Sequence, residues 1–141
     1  MIGLVPVRIN DAWAALHAAR VVEILGARPW VRIPDAPART PGVLAWQGRA
    51  VAAFDLGLFL DVGPALLHGE PRPRTVIIRV GASVLALPVD SVREVQEVHE
   101  GDLRAPHVVR HAHASHEIEL RGVVMPVLDL SSVLASMAEA P

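Results

Sequence analysis

The sequence predicts an all-β protein, a pair of small β-barrels packed side by side with short helices. Two repeats carry that reading. The stretch Pro41–Leu60, PGVLAWQGRAVAAFDLGLFL, is a strand, a tight turn, a returning strand and a short helix, and the same layout recurs in Leu120–Leu134, LRGVVMPVLDLSSVL. Gly48, Phe54, Asp55, Leu56 and Leu60 stand 74 residues before Gly122, Leu128, Asp129, Leu130 and Leu134. An earlier block repeats with a spacing of 71: Val5, Arg8, Ala15, Leu16, Val21 and Glu23 meet Val76, Arg79, Ala86, Leu87, Val92 and Glu94 identically. Two blocks repeated in one order, with a variable loop between them, mean a duplicated module of about 70 residues. Two copies are too few for a solenoid. The predicted organisation is one domain, 1–141, with subdomains at about 1–66 and 72–138. A module of this size buries little core alone, so the copies are expected to share an interface.

Each element has a local cause. Ile2–Ile9 is β-rich, and Pro6 within it argues for an edge strand or a bulge. Asn10-Asp11 turns the chain and Trp13–Leu16 returns. Ala12–Val22 is rich enough in Ala to pass for a helix, but its duplicate carries Pro88 and β-branched residues, which favours strand. A brief turn near Ala18–Val21 leads to a strand at Val22–Leu25. Ala27–Pro41 holds four prolines and reads as an extended loop tacked down by Trp30, Val31 and Ile33. Val43–Gln47 and Arg49–Leu56 flank the turn at Gln47-Gly48, where glycine tolerates positive φ. Asp55 stands at a helix N-cap position. Gly63–Arg74 connects the copies. Arg74–Val80, Val84–Val89 and Val92–Val98 read as strands, Gly101–Glu117 as a polar loop, Ile118–Leu130 as the second hairpin, and Ser131–Ala138 as a helix.

Composition narrows the function. Apolar residues make up 52% of the chain, yet no run approaches the roughly 20 residues of a membrane span. The excess reflects either Ala-rich composition or apolar surface left for partner proteins. Net charge is −2 with both signs interspersed, and all 13 basic residues are Arg. That gives no electrostatic footprint for nucleic acid. The absence of Cys excludes disulfides and thiolate chemistry. The start, MIGLVPVRIN, lacks the pattern of a signal peptide, and a cytoplasmic location is expected.

Three sets of residues invite a chemical reading. Asp55 and Asp129 form a pair of carboxylates, but each occupies the same place in its own copy, and capping of two helices explains both. His107, His111, His113 and His116 lie close together beside Glu117; imidazoles suit Zn, Cu or Ni, yet the spacing fits no closed structural zinc pattern. A solvated loop is the simpler reading, with a pH response near the ordinary imidazole pKa as another. No metal or other cofactor is expected. Trp13, Trp30 and Trp46 all fall in the first copy. Trp13 is expected in the core and Trp46, beside the turn, at an interface, since Trp is enriched at binding hot spots.

The ordered set of residues resembles the CheW family of chemotaxis coupling proteins. Family sequences run like F-x-L-P-x-x-x-V-x-E-I and then P-x-x-x-x-G-V-x-N-L-R-G-x-x-x-P-V-x-D-L. The first copy matches at Val21, Glu23, Ile24, Pro37, Gly42, Val43, Gly48, Asp55 and Leu56. The second matches at Leu87, Pro88, Val92, Glu94, Val95, Gly122, Pro126, Val127, Asp129 and Leu130. The resemblance implies two five-stranded SH3-like barrels and a non-catalytic adaptor. Such an adaptor joins the regulatory domain of a CheA-type histidine kinase to the cytoplasmic tips of chemoreceptors, without nucleic acid and without inserting in the membrane. Val21, Glu23, Gly42 and Gln47 fall at family receptor-contact positions, and Trp46 adjoins them. Where the family has N-L-R-G, this chain has Ala45-Trp46-Gln47-Gly48, and a carboxamide cannot replace the bidentate, charged hydrogen bonds of a guanidinium. Two alternatives stay open. One is a divergent family member that binds a single partner, as a decoy or pathway-specific regulator. The other is a metal-dependent enzyme built on the histidine loop.

Overall fold

The computed structural model describes residues 1–67, 70–106 and 114–139, with the side chains of the last helix as far as 135. Along the chain run β1 (Ile2–Ile9), β2 (Ala12–His17), a 3-10 turn, β3 (Val21–Leu25), β4 (Val31–Arg32), β5 (Gly42–Trp46), β6 (Arg49–Ala53) and helix α1 (Leu56–Phe59). The second copy supplies β7 (Arg74–Val80), β8 (Ser83–Val89), β9 (Ser91–Val92), β10 (Gln96–Val98), β11 (Ala114–Leu120), β12 (Val123–Leu128) and helix α2 (Leu130–Glu139).

The strands form two SH3-like barrels. In the first the order is β10-β1-β2-β12-β11, with β9 also on β1; in the second it is β3-β7-β8-β6-β5-β4. The sheets therefore do not follow the expected subdomains at about 1–66 and 72–138. The opening hairpin of each copy sits in the barrel completed by the other copy's closing hairpin. Two parallel contacts make the exchange, Val127 against Ala15 and Ala53 against Ala86. These are the same contact under the duplication.

Each sheet counts six strands rather than five, for different reasons. In the first barrel the strand expected at Val92–Val98 is interrupted. Its parts pair successively with β1, at Val7–Arg8 and at Ile2–Leu4. Pro6 stands opposite the interruption, so its missing N–H costs no ladder bond. The irregularity expected from Pro6 thus lies in the partner strand, and β1 is internal rather than an edge. In the second barrel the extra strand is β4, two residues of the proline-rich loop paired with β5. That loop is held by Trp30, which is buried, whereas Val31 and Ile33 are exposed. The strand expected at Arg49–Leu56 ends at Ala53, where Phe54 and Asp55 turn into the helix cap. The polar loop is shorter than expected, since β11 begins at Ala114 and Arg104 bridges to Glu117.

Period-two alternation sends the side chains of the opening hairpins to two different cores. Leu4 and Ala15 enter the first barrel, with Ile118, Leu120, Met125 and Val127. Ile77 and Ala86 enter the second, with Trp30, Leu44, Trp46 and Val51. The residues between them, Val5, Val7, Ile9, Ala14 and Leu16 of one hairpin and Val76, Ile78, Val80, Leu85, Leu87 and Val89 of the other, join a third and largest cluster between the barrels. Phe54, Leu56 and Leu60 fill it from one side; Leu128, Leu130 and Val133 fill it from the other.

The duplicated aspartates have diverged. Asp55 is 2% exposed, and its carboxylate accepts hydrogen bonds from the backbone N–H groups of Leu58 at 3.1 Å, Ala65 at 3.0 Å and Leu66 at 3.0 Å. It caps α1 and also fastens the connector beneath it. Asp129 is exposed, and its carboxylate accepts from the first turn of α2, Ser131 at 3.1 Å and Ser132 at 3.3 Å. Further along, the connector is clamped by Arg72. Its guanidinium donates to Asp90 at 2.7 Å and to the Asn10 side-chain Oδ1 at 3.2 Å, while its Nε donates to the Ala65 carbonyl at 2.7 Å. The Asp90 carboxylate also accepts from the Asn10 N–H at 2.6 Å. One ion pair thus ties the linker between copies to the turn of the first opening hairpin and to the end of the second.

Two expectations follow for stability. Asp55→Ala orphans three N–H groups, two of them buried, and should cost about 3 kcal/mol or more, lowering Tm by roughly 10 °C. Asp129→Ala should cost about 1 kcal/mol or less. Thermal melts of both variants check this, and equal losses would contradict the divergence. The second expectation concerns His17, at the end of β2. Burial lowers its pKa, Arg20 lowers it further, Asp129 opposes, and His116 adds a small lowering. The unfolded chain therefore takes up this proton first as pH falls below about 6.5, and stability drops until the folded ring protonates too. His17→Phe should lose less Tm between neutral and mildly acidic pH than the parent chain. An unchanged difference would overturn the assignment.

Candidate docking site

The residues proposed from sequence lie on the second barrel. Strand β3 alternates, with Val21, Glu23 and Leu25 half-buried and Val22 and Ile24 exposed. A bulge between Val21 and Glu23 resets its register on β7. Val21 packs against the cluster between the barrels, so it serves the interior as well as the surface. Glu23 sits at the open side of the barrel, where its carboxylate accepts a hydrogen bond from the Trp46 indole N–H at 3.4 Å. That contact joins β3 to β5 where the sheet curls toward closure.

Trp46 is 5% exposed and belongs to the core of the second barrel. Its ring fills the barrel mouth, and Arg49 stacks its guanidinium 5.4 Å from the ring centroid. What the surface sees here is Glu23, Arg49 and the turn, not a protruding indole. The alternation along β5 explains the burial: Gly42, Leu44 and Trp46 face inward, while Ala45 is exposed. Trp13, expected in the core, is only half-buried. It packs on the first barrel's core with Arg93 4.8 Å above its ring.

Gln47 and Gly48 have φ of 49° and 75°. Two successive positive values make a type I′ hairpin turn, which matches strand twist and favours glycine at its second position. Gln47 is exposed on this turn. Arg121 and Gly122 repeat the geometry, with φ of 49° and 81°.

Gly42 plays a different part. It lies at the other end of β5, four residues from Trp46 and so about 13 Å away along the strand. A Cβ there would overlap the Val31 carbonyl, so this glycine permits β4 to pack. The structure therefore brings Glu23, Trp46 and Gln47 to one mouth, puts Val21 beside the interbarrel cluster, and leaves Gly42 apart. Arg49 was not foreseen. Its signal was legible, since it flanks the turn opposite Trp46 in a two-residue hairpin.

Of the histidine group, His107, His111 and His113 lie outside the described residues. His116 is exposed on β11, paired with Val127. Among the described residues no cluster of three or more His, Asp or Glu is placed to hold a metal ion.

The fold and the motif order both find counterparts among known proteins. The scaffolding protein TtCheW from Thermoanaerobacter tengcongensis has a crystal structure that superposes with a TM-score of 0.79, covering 92% of this chain and 84% of that one at 19% identity. Protein FrzA of Myxococcus xanthus is 28% identical over 117 residues, which is 83% of this chain and 70% of FrzA. The model of the CheW-like domain matches residues 3–138. With nearly its whole length matched and both barrels accounted for, the chain belongs to the CheW-like domain family.

Proposed function

We propose that this chain is a non-catalytic adaptor of a bacterial chemosensory pathway, coupling a CheA-type histidine kinase, through its regulatory domain, to the cytoplasmic tips of chemoreceptors. The observation that carries the reading is the family match over residues 3–138 on a chain that folds as the two-barrel scaffold. The carboxylates that a catalytic reading would need are already engaged in capping: Asp55 and Asp129 accept backbone N–H groups. Among the described residues no helix is long and apolar enough to cross a membrane. A cytoplasmic adaptor meeting receptor tips fits these features.

The receptor-facing part of the proposal is the mouth of the second barrel, with Glu23 and Gln47 as contact residues over the buried Trp46, Val21 beside the interbarrel cluster and Gly42 supporting β5. Glu23, Arg49 and Gln47 give it a mixed polar surface over a buried indole. The departure at Gln47 supports a second reading, an adaptor that holds the kinase and discriminates against receptors whose acidic groups need an arginine.

Gln47→Arg separates the two. Arg121 already occupies the same turn position at the same φ, so the substitution is sterically accommodated and Tm should stay within a few degrees. If acidic groups on the receptor meet this turn, a new charged contact should strengthen receptor binding by about 2 kcal/mol, roughly thirtyfold, with kinase binding changed less. Titration calorimetry of both proteins against a receptor-tip fragment and the kinase regulatory domain reads this. Tight receptor binding by the parent chain that the arginine weakens would overturn the discriminating reading. Failure to bind either partner would overturn the adaptor itself.

A further inference from the structure

The duplication gives each barrel a mouth, and the two have diverged. Trp46 in the second barrel corresponds to Leu120 in the first, Gln47 to Arg121, Arg49 to Val123 and Val22 to Arg93. In the second barrel the indole of Trp46 plugs the opening. In the first, Leu120 is buried but too small to fill the same space, and a cavity of about 80 Å³ remains. Its apolar wall is Pro6, Trp13, Val123 and Met125, and Arg93 and Arg121 stand at its rim. An adjoining groove of about 530 Å³ shares Trp13 and Val123 and continues over Val62 and Val124, with Asp11 and Asp61 on its border. Val123 and Val124 are 38% and 54% exposed.

We propose that this mouth of the first barrel, around Trp13, Arg93 and Arg121, is a docking site for an acidic, aliphatic segment of a partner protein. Charge complementarity selects the occupant. Among the described residues neither Arg93 nor Arg121 has a carboxylate partner. Arg93 is held on the Trp13 face at 4.8 Å, so part of the ordering cost of engaging a carboxylate is already met. A planar guanidinium is the side chain best suited to take a carboxylate through two hydrogen bonds. The small cavity beside it accepts one aliphatic side chain, the kind of anchor that carries binding energy when surrounded by polar rim contacts. The site lies on the other barrel from Glu23 and Gln47, and it stands whether or not that face meets a receptor.

The test uses the full chain and a defined probe, the acetylated and amidated peptide Glu-Leu-Glu-Leu, with Lys-Leu-Lys-Leu as its opposite. Trp30 and Trp46 are buried and Trp13 is not, so the Trp13 indole N–H resonance, assigned by its loss in Trp13→Phe, reports on the site. The acidic peptide should shift that resonance saturably. Arg121→Glu, on an exposed turn, should weaken the binding about tenfold or more. Arg28→Glu, an equal charge reversal at an exposed position before β4, should leave it unchanged. Equal or tighter binding of the lysine peptide would assign the groove to the Asp11 and Asp61 border instead. A Trp13 shift on raising the chain's own concentration, with a doubled mass by sedimentation, would make the occupant a second copy. No shift through the millimolar range, or an undiminished one in Arg121→Glu, would overturn the proposal.

Discussion

Two hairpins apolar on both faces, β1/β2 and β7/β8, set the terms for the rest of the molecule. A strand that is buried on one side and wet on the other can fold into a single small barrel. These strands cannot, because Val5, Val7 and Leu16 on one hairpin, and Val76, Ile78 and Leu87 on the other, would face water if the barrels parted. At about 25 cal/mol per Å² of apolar surface, exposing even a handful of such side chains costs more than a small domain's whole stability. The barrels are therefore obliged to pack, and the strand exchange between copies makes the packing topological as well as hydrophobic. The helices then have one place to go, over the ends of the shared core. The connector is fixed by Asp55 and by the Arg72–Asp90–Asn10 cluster rather than left as a tether.

That constraint explains what could be read from the sequence and what could not. The repeats located the hairpins and both aspartate caps because duplication preserves spacing, and Val5/Val76, Ala15/Ala86 and Leu16/Leu87 keep even their facing. Ala15 and Ala86 each enter the core of their own barrel, and Leu16 and Leu87 both enter the common core. The same repeats pointed to contiguous halves, since sequence similarity tells which segments are alike and not which barrel each joins. Pairing partners across about 70 residues are chosen by core packing, which no local pattern records. Pro6 predicts an edge position or a bulge in its own strand, yet β1 is unbroken and internal and the break falls in its neighbour, where the missing donor is felt. Trp46 was within reach of the sequence: its phase with Leu44 and Gly42 places it inside. Its position beside the turn drew it to the surface.

Function follows from how the duplicates have drifted apart on a scaffold that keeps them in place. Both closing hairpins hold the same type I′ turn, so their side chains are presented alike to solvent. One presents Gln47 over a plugged mouth with Glu23 tied to Trp46. The other presents Arg121 beside an open apolar slot and a stacked Trp13–Arg93 pair. A fold with two equivalent mouths and unequal chemistry suits an adaptor, which must hold different partners at once without confusing them. The candidate contacts Gln47 and Arg121 sit on turns, while the scaffold beneath is over-determined by packing.

The dependence of each barrel on the other copy's hairpin is the central claim, and expressing residues 1–66 and 72–138 as separate chains tests it most directly. The account predicts that each fragment alone lacks a cooperative thermal transition, and that mixing them restores a β-sheet spectrum and one transition, because only together do they hold both barrels and the core between. A fragment that melts cooperatively by itself, with a transition unaffected by its counterpart, would contradict the exchanged architecture.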